Sequence, residues 1–514
     1  MISSPSHGLW RGSVASTVAF ALALALLLPL PSTAAAPLAE DQGGVVLVPT
    51  SGPLVSVRYL FEVGSKDDPK GKEGLAALTA SMVARGGTTS LRYEEVLDRF
   101  FPMAASLDGA CLKEVTIFSG TVHRDNLAAY IGLSTEMIAS PRFAPEDFER
   151  LRDEALDYLT KTLRGNNDEA LGKWTLQSAL YEGHPYGRPD EGLVAGLKAI
   201  TLDDVKSFHR DHFTQAALRL GLCGAVDQAT IQQVREGLAQ LPPGEVRAEA
   251  LIPNAEPIKG LEVTIVSKPA EATAISLGFP LSITRADDDF YALVVANSFL
   301  GEHRTFNGRL MRDLRGKRGL NYGDYSYIED FIQDGQSTFP IPNNHRSRQY
   351  FSIWIRPVPT EKSVFALRAA LWELDRLVEK GMTLEEFEGT RSFLLNYSKL
   401  WVQTLSRRLG YELEGRLYGR KDLVTELAER LPKLTLEQVN EAVRKHLKVG
   451  GMKVAMVAGD AEALRERLTS GKPSPMVYDT EGTADEVLAQ DKEIEVFPLR
   501  DLKVRVIPVE KIFE

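Results

Sequence analysis

Few groups in this sequence can do chemistry, and their spacing decides what each could do. His209 and His212, in DVKSFHRDHF, are the only close pair among eight histidines. Two imidazoles on one helix need a third ligand to hold a metal, and none stands nearby, so no metal site is expected there. Cys111 and Cys223 sit in strand-like stretches and lack the paired spacing of a zinc site. An oxidising compartment would permit a disulfide between them, and spacing alone leaves that open; two buried free thiols is the preferred reading. Arg315 and Tyr322, in LRGKRGLNY, are a planar cationic donor and a phenol. Taken alone they also fit a solvated helix arginine and a half-buried strand tyrosine. The basic residues His345, Arg346 and Arg348 read as a solvated loop.

The elements around these residues occur twice. ITLDDVKSFHRDHF (residues 200–213) is echoed by LTLEQVNEAVRKHL (434–447), and each precedes a strand-like run. EDFERLRDEALDYL (146–159) is echoed by EEFEGTRSFLLNYS (385–398), and LYEGHPYGR (180–188) more weakly by LYGRKDL (417–423). The order and offset are kept, which predicts a duplicated domain of about 220 residues. Strands interleaved with helices, with hairpins among the strands, predict an α+β fold with helices packed on mainly antiparallel sheets. The expected divisions are residues 37–240, a Pro/Gly-rich linker over 241–260, a second half over 261–472, and an acid-rich tail over 473–514. The tail ends in an alternating strand-like run that should pack back on the body.

A length of 514 residues is too long for one core, and a net charge of -10 argues against nucleic-acid binding. Arg11, the apolar run 18–30 and the small residues 33–39 read as a signal peptide cut after Ala36 or Ala39. The alternative is a membrane anchor, but the run is shorter than the roughly 20 residues a span needs. The mature chain is therefore expected to be exported, periplasmic or secreted, with no membrane span.

One helix stands out for what it lacks. GLAALTASMVARGGT (residues 74–88) is apolar and holds nothing that binds a metal or moves a proton. With FEVGSKDDPKGKEG before it, and with SPRFAPEDFERLRDEALDYL, HPYGRPDEG and GRLMRDLRGKRGLNYG, it makes the chain resemble the pitrilysin/insulinase-type metallopeptidases, the group that includes mitochondrial processing peptidase. The resemblance runs over nearly all of the expected mature chain. It implies two tandem α/β-sandwich halves forming a clam-like shell around a peptide chamber.

Catalytic halves of that family carry HxxEH on this helix, with His at i and i+4 facing one zinc and the Glu as base. Here the matching run is Ala77, Leu78, Thr79, Ala80 and Ser81, and the distal Glu aligns near Tyr158, beside Asp157. Ala77, Ala80, Ser81 and Tyr158 are thus degenerate positions, and no metal is expected in this chain. The second half offers Tyr397 and the helix FYALVVANSFLG (290–301), which also lack ligands.

The resemblance also implies a role for Arg315 and Tyr322, because the half facing the zinc supplies an Arg and a Tyr that hydrogen-bond the substrate carbonyl. A guanidinium and a phenol can both donate to an oxyanion without competing for the metal. The expected function is a non-catalytic, substrate-contacting subunit of an exported two-chain zinc peptidase. It would be inactive alone, with zinc and HxxEH in a homologous partner and a peptide or unfolded protein as substrate. LGEHRTFNGRL (300–310) departs from the family's Gly-rich segment, which weakens the analogy with the mitochondrial substrate-sorting subunit. The competing expectation is a zinc-free peptide-binding or scaffold protein. Either could hold peptide as an added strand on an exposed sheet edge, with residues 103–111 the candidate.

Overall fold

A computed structural model describes residues 40–41, 45–245, 252–333, 335–478 and 482–514. The expected signal peptide lies outside the described residues, as does part of the expected linker.

Among the described residues the chain forms twelve strands: β1 (Glu40–Asp41), β2 (Val45–Pro49), β3 (Leu54–Phe61), β4 (Asp108–Cys111), β5 (Thr116–His123), β6 (Leu218–Gly224), β7 (Leu261–Ser267), β8 (Ala272–Leu281), β9 (Asp324–Tyr327), β10 (Gln349–Pro359), β11 (Met452–Ala458) and β12 (Lys503–Pro508). They form two six-stranded sheets, ordered β1-β2-β6-β3-β5-β4 and β12-β7-β11-β8-β10-β9. Both are mixed. β2 runs parallel to β6, and β7 to both β11 and β12, and from β6 and β11 onward to β4 and β9 the strands pair antiparallel. The strand orders correspond, apart from the outermost β1 and β12.

The echoed segments form like elements. Leu202–His212 and Leu436–His446 are helices opened by capping boxes, Thr201 with Asp204 and Thr435 with Gln438. Each box satisfies backbone donors that the first helical turn leaves free. Among the described residues, no helix is long and apolar enough to cross a membrane.

The helices pack crosswise. Asp168–Leu180, early in the chain, lies on the second sheet. Gly172 faces Ser276 and Val457 there, and Lys268 pairs with Asp168 at 2.6 Å. Leu405–Leu417, late in the chain, lies on the first sheet, where Leu409 and Leu413 pack with Val46, Val48 and Cys223. Gly221 of β6 makes room for them: a Cβ there would stand 2.8 Å from both leucines. The tail packs back on the body: β12 runs parallel to β7, and beyond it Ile512 and Phe513 enter the first sheet's core. Arg164 fixes them, donating to the Ile512 carbonyl at 2.6 Å and pairing with Glu514 at 3.1 Å.

Two readings are corrected. The strand expected over residues 103–111 covers only Asp108–Cys111, because Phe101–Met103 is a 3-10 turn. Arg346 is not solvated. It is 1% exposed, pairs with Asp330 at 3.0 Å, and lies over the rings of Tyr186 and Tyr350. Its neighbour Ser347 donates to the buried carboxylate of Glu114 at 2.9 Å, which Tyr186 also reaches.

Candidate functional site

The segments flanking the emptied helix hold it in place. Asp68 accepts from the backbone N–H of Gly74 at 2.8 Å and of Ala76 at 2.7 Å, capping Leu75–Arg85 from outside. Burial raises the Asp68 carboxyl to about 6. Arg188, from HPYGR, lies 3.6 Å from Asp68 and donates to the Ser65 carbonyl at 2.7 Å. Lys113 is buried between Asp190, at 2.8 Å, and the Arg188 carbonyl, at 2.5 Å. Motifs far apart in sequence therefore brace one helix.

That helix turns Ala77, Ala80 and Ser81 toward a cavity of about 720 Å³, which Tyr158 also lines. So the degenerate positions come together. β4 forms one wall through Gly109, Ala110 and Cys111, and Phe331, Tyr350 and Trp354 come from the second sheet's side. β4 pairs only with β5, so its other edge is open. Tyr158 begins a wide π-helical stretch, Tyr158–Asn166, of a kind that re-aims side chains at sites. Burial and the nearby Glu191 raise its phenol to about 12. Asp157 is exposed instead and pairs with Lys161 at 2.7 Å.

Zinc does not fit these residues. Two alanines, a serine and a tyrosine stand where imidazoles and carboxylates would be needed. Among the described residues, no three or more His, Cys, Asp or Glu side chains gather to hold a metal. His209 meets the Ile138 carbonyl at 2.8 Å, and His212 stacks on Phe208, so both serve packing. Cys111 and Cys223 are free thiols. Tyr397 donates to the Thr338 carbonyl at 3.1 Å.

Arg315 and Tyr322 do not line this cavity. Arg315 is half-buried in the wide turn Met311–Gly316, over the ring of Phe306. Its carbonyl accepts from Gly319 at 2.9 Å, in a turn whose positive φ of 60° suits glycine. Tyr322 precedes β9 and is 78% exposed.

Residues 199–394 match the family model described as the peptidase M16 inactive domain. An uncharacterized zinc protease of Mycobacterium tuberculosis is 25% identical, over 79% of this chain and 89% of its own. Residues 199–394 thus carry the M16, pitrilysin-like inactive-domain pattern, and most of the chain is similar to M16-family proteins. A non-peptidase homolog from Helicobacter pylori is 23% identical over 79% of this chain and 89% of its own. The crystal structure of a peptidase M16 inactive domain from Pseudomonas fluorescens superposes with a TM-score of 0.71 at 23% identity, covering 82% of this chain and 97% of that one. A protease from Helicobacter pylori gives 0.68 at 17% identity, over 80% and 96%. These structures share the α+β fold of two mixed sheets packed with helices.

Among the polar and aromatic groups that line this cavity, Glu169, Lys173, Glu191 and Trp354 were not singled out from the sequence. Only helical spacing, i to i+4, linked Glu169 and Lys173 beforehand. Glu191 keeps one buried oxygen without a partner, and burial beside Asp190 raises it to about 7. Asp324, next to Arg315 in space, is raised by burial to about 8.

A carboxyl raised on folding binds more protons in the native state than in the unfolded one. Its destabilising effect is absent below the unfolded value near 4 and complete above the native one. Asp324→Asn is therefore expected to raise the melting temperature at pH 8.5 and leave it unchanged near pH 4. Equal shifts at both pH values in thermal melts would contradict this.

Proposed function

We propose that the chain is the non-catalytic, substrate-contacting subunit of an exported two-chain zinc metallopeptidase, with Arg315 and Tyr322 supplied to the partner's active site. In this reading two tandem halves, residues 37–240 and 261–472, form a clam-like shell. The corresponding strand orders support that. Residues 1–36 direct export, and the tail secures the shell. The observation that carries the reading is the pairing of a retained, braced, ligand-free helix with an Arg and an exposed Tyr that lie outside this chain's own cavity. A phenol exposed to this degree is available to a second protein. Several relatives are named zinc proteases, which fits a family partner that carries the metal.

The second reading, a zinc-free peptide-binding or scaffold protein, draws on the open edge of β4 inside the cavity. One relative, from Helicobacter pylori, is named a non-peptidase homolog. Both readings place peptide along β4, where backbone hydrogen bonds would extend the sheet.

Purified alone, the chain is expected to carry no stoichiometric zinc and to cleave no peptide. Elemental analysis finding about one tightly held zinc per chain would sink this. Co-expressed with an HxxEH homologue from the same genome, it should elute as one complex and cleave a quenched-fluorescent peptide. Separate elution across salt and pH would leave the scaffold reading in place.

A further inference from the structure

One corner of the cavity carries more cations than anions. Lys173 lies 3.7 Å from the centre of the Trp354 ring. Among the described residues it makes no ion pair or hydrogen bond. The charged groups acting on it are Glu169, from its own helix, Arg356 of β10, and Arg304, after the helix Asp288–Gly301. Glu169 is already taken, since Arg356 pairs with it at 2.8 Å. Arg304 is spent on neutral acceptors, the Gly335 carbonyl and Gln336, each at 3.2 Å. Three cations thus meet one carboxylate. Trp354 adds a buried indole N–H with no acceptor.

The nearby histidine registers the same field. His303 is pushed down to about 3 by burial and then by Arg304, Lys173 and Arg356. Lys173 itself is lowered to about 8 by burial, with Arg356 and Arg304 opposing its charge. An ammonium held in such a place without an anionic partner costs stability, and binding sites are where such costs are tolerated.

The corner is reached from the chamber. Lys173, Glu169, Gln333 and Trp354 line both the large cavity and a small adjoining pocket that includes Arg304, Tyr325 and Arg356. We propose that this corner receives a carboxylate of the peptide lying along β4, with Lys173 as its direct partner and Arg304 and Arg356 as the surrounding positive field. The protein would then select acidic peptides. The inference rests on the reading that the chamber holds peptide. A carboxylate suits the site because it offers acceptors to an ammonium that has no anion of its own, and charge-assisted bonds of this kind are stronger than neutral ones.

The test uses the full chain and fluorescein-labelled extended peptides read by anisotropy. One set carries Asp or Asn at a single internal position, with the C-terminus amidated. A second set is free acid or amide with no acidic side chain. At low salt, the carboxylate-bearing member of one set should bind about tenfold more tightly than its neutral twin, and the set that shows this names the source. High salt should shrink the ratio. Lys173→Met, which keeps the stem on Trp354, should bring the ratio near one, and Lys173→Arg should restore it. Thermal melts check that Lys173→Met is folded. Equal binding of charged and neutral peptides by the natural chain would overturn the proposal while leaving the peptide chamber standing, as would a preference that survives Lys173→Met. Failure to bind any peptide, charged or neutral, would overturn both.

Discussion

Tyr322→Phe is expected to lower kcat about 10²–10³-fold in the complex with an HxxEH-bearing partner, with little change in KM. The phenol would act on charge that exists only in the transition state, and such an interaction appears in kcat. Phe keeps the ring and removes only the hydroxyl. Because Tyr322 is 78% exposed, the chain's own packing loses almost nothing, and melts should coincide with those of the natural chain. Arg315→Lys should also impair catalysis, since an ammonium cannot copy the planar fork. Arg315 also acts on the buried Asp324 carboxyl, so its variant needs the same melting control. Steady-state kinetics on a quenched-fluorescent peptide reads both. A normal kcat in Tyr322→Phe would make the pair structural and remove the main support for the peptidase-subunit reading.

The largest effect on stability is expected at Asp330→Ala, about 3–5 kcal/mol, because it leaves the buried Arg346 charge without a counter-ion. Arg346 is 1% exposed between the rings of Tyr186 and Tyr350, so its own charge is poorly hydrated. Asp330 also accepts from Tyr350 at 2.7 Å and from Asn344 at 2.9 Å, and those two bonds would be lost too. The pair can be separated from mere loss of packing by a cycle. Arg346→Met with Asp330→Asn removes both charges and should cost clearly less than the sum of the single changes. Urea denaturation followed by tryptophan fluorescence measures each. Additive costs would show that the two charges are independent.

Local signals were legible in the sequence, and distant ones were not. The boxes at Thr201 and Thr435 are completed within three residues, so nearby sequence alone is enough to start a helix in both echoes. The ligand-free positions Ala77, Ala80 and Ser81 were readable because one helix carries them all, and Tyr158 joined them through its place in a second motif. Arg346 was misread because HRSR looks like a hydrated turn. Its partners Asp330 and Tyr186 belong to segments that only folding brings together. Lys173 stayed hidden for the same reason: Trp354 and Arg356, which give it meaning, lie on β10. The open edge at β4 was foreseen, but its length was not, because the apolar residues before it turn instead of extending.

The crosswise packing has a consequence for how the chain comes to be folded. The first sheet stays uncovered on one face until Leu405–Leu417 is made, and its core stays incomplete until Ile512 and Phe513 arrive, each worth about 1.5–3 kcal/mol when buried. A ribosome therefore releases nearly the whole polypeptide before its earliest third can finish folding. Contacts this distant in sequence slow the search and prolong the exposure of sticky surface. Neither half should be obtainable as a well-behaved fragment, and the protein's yield in a cell should depend on holding factors that keep the early portion apart until the late portion reaches it.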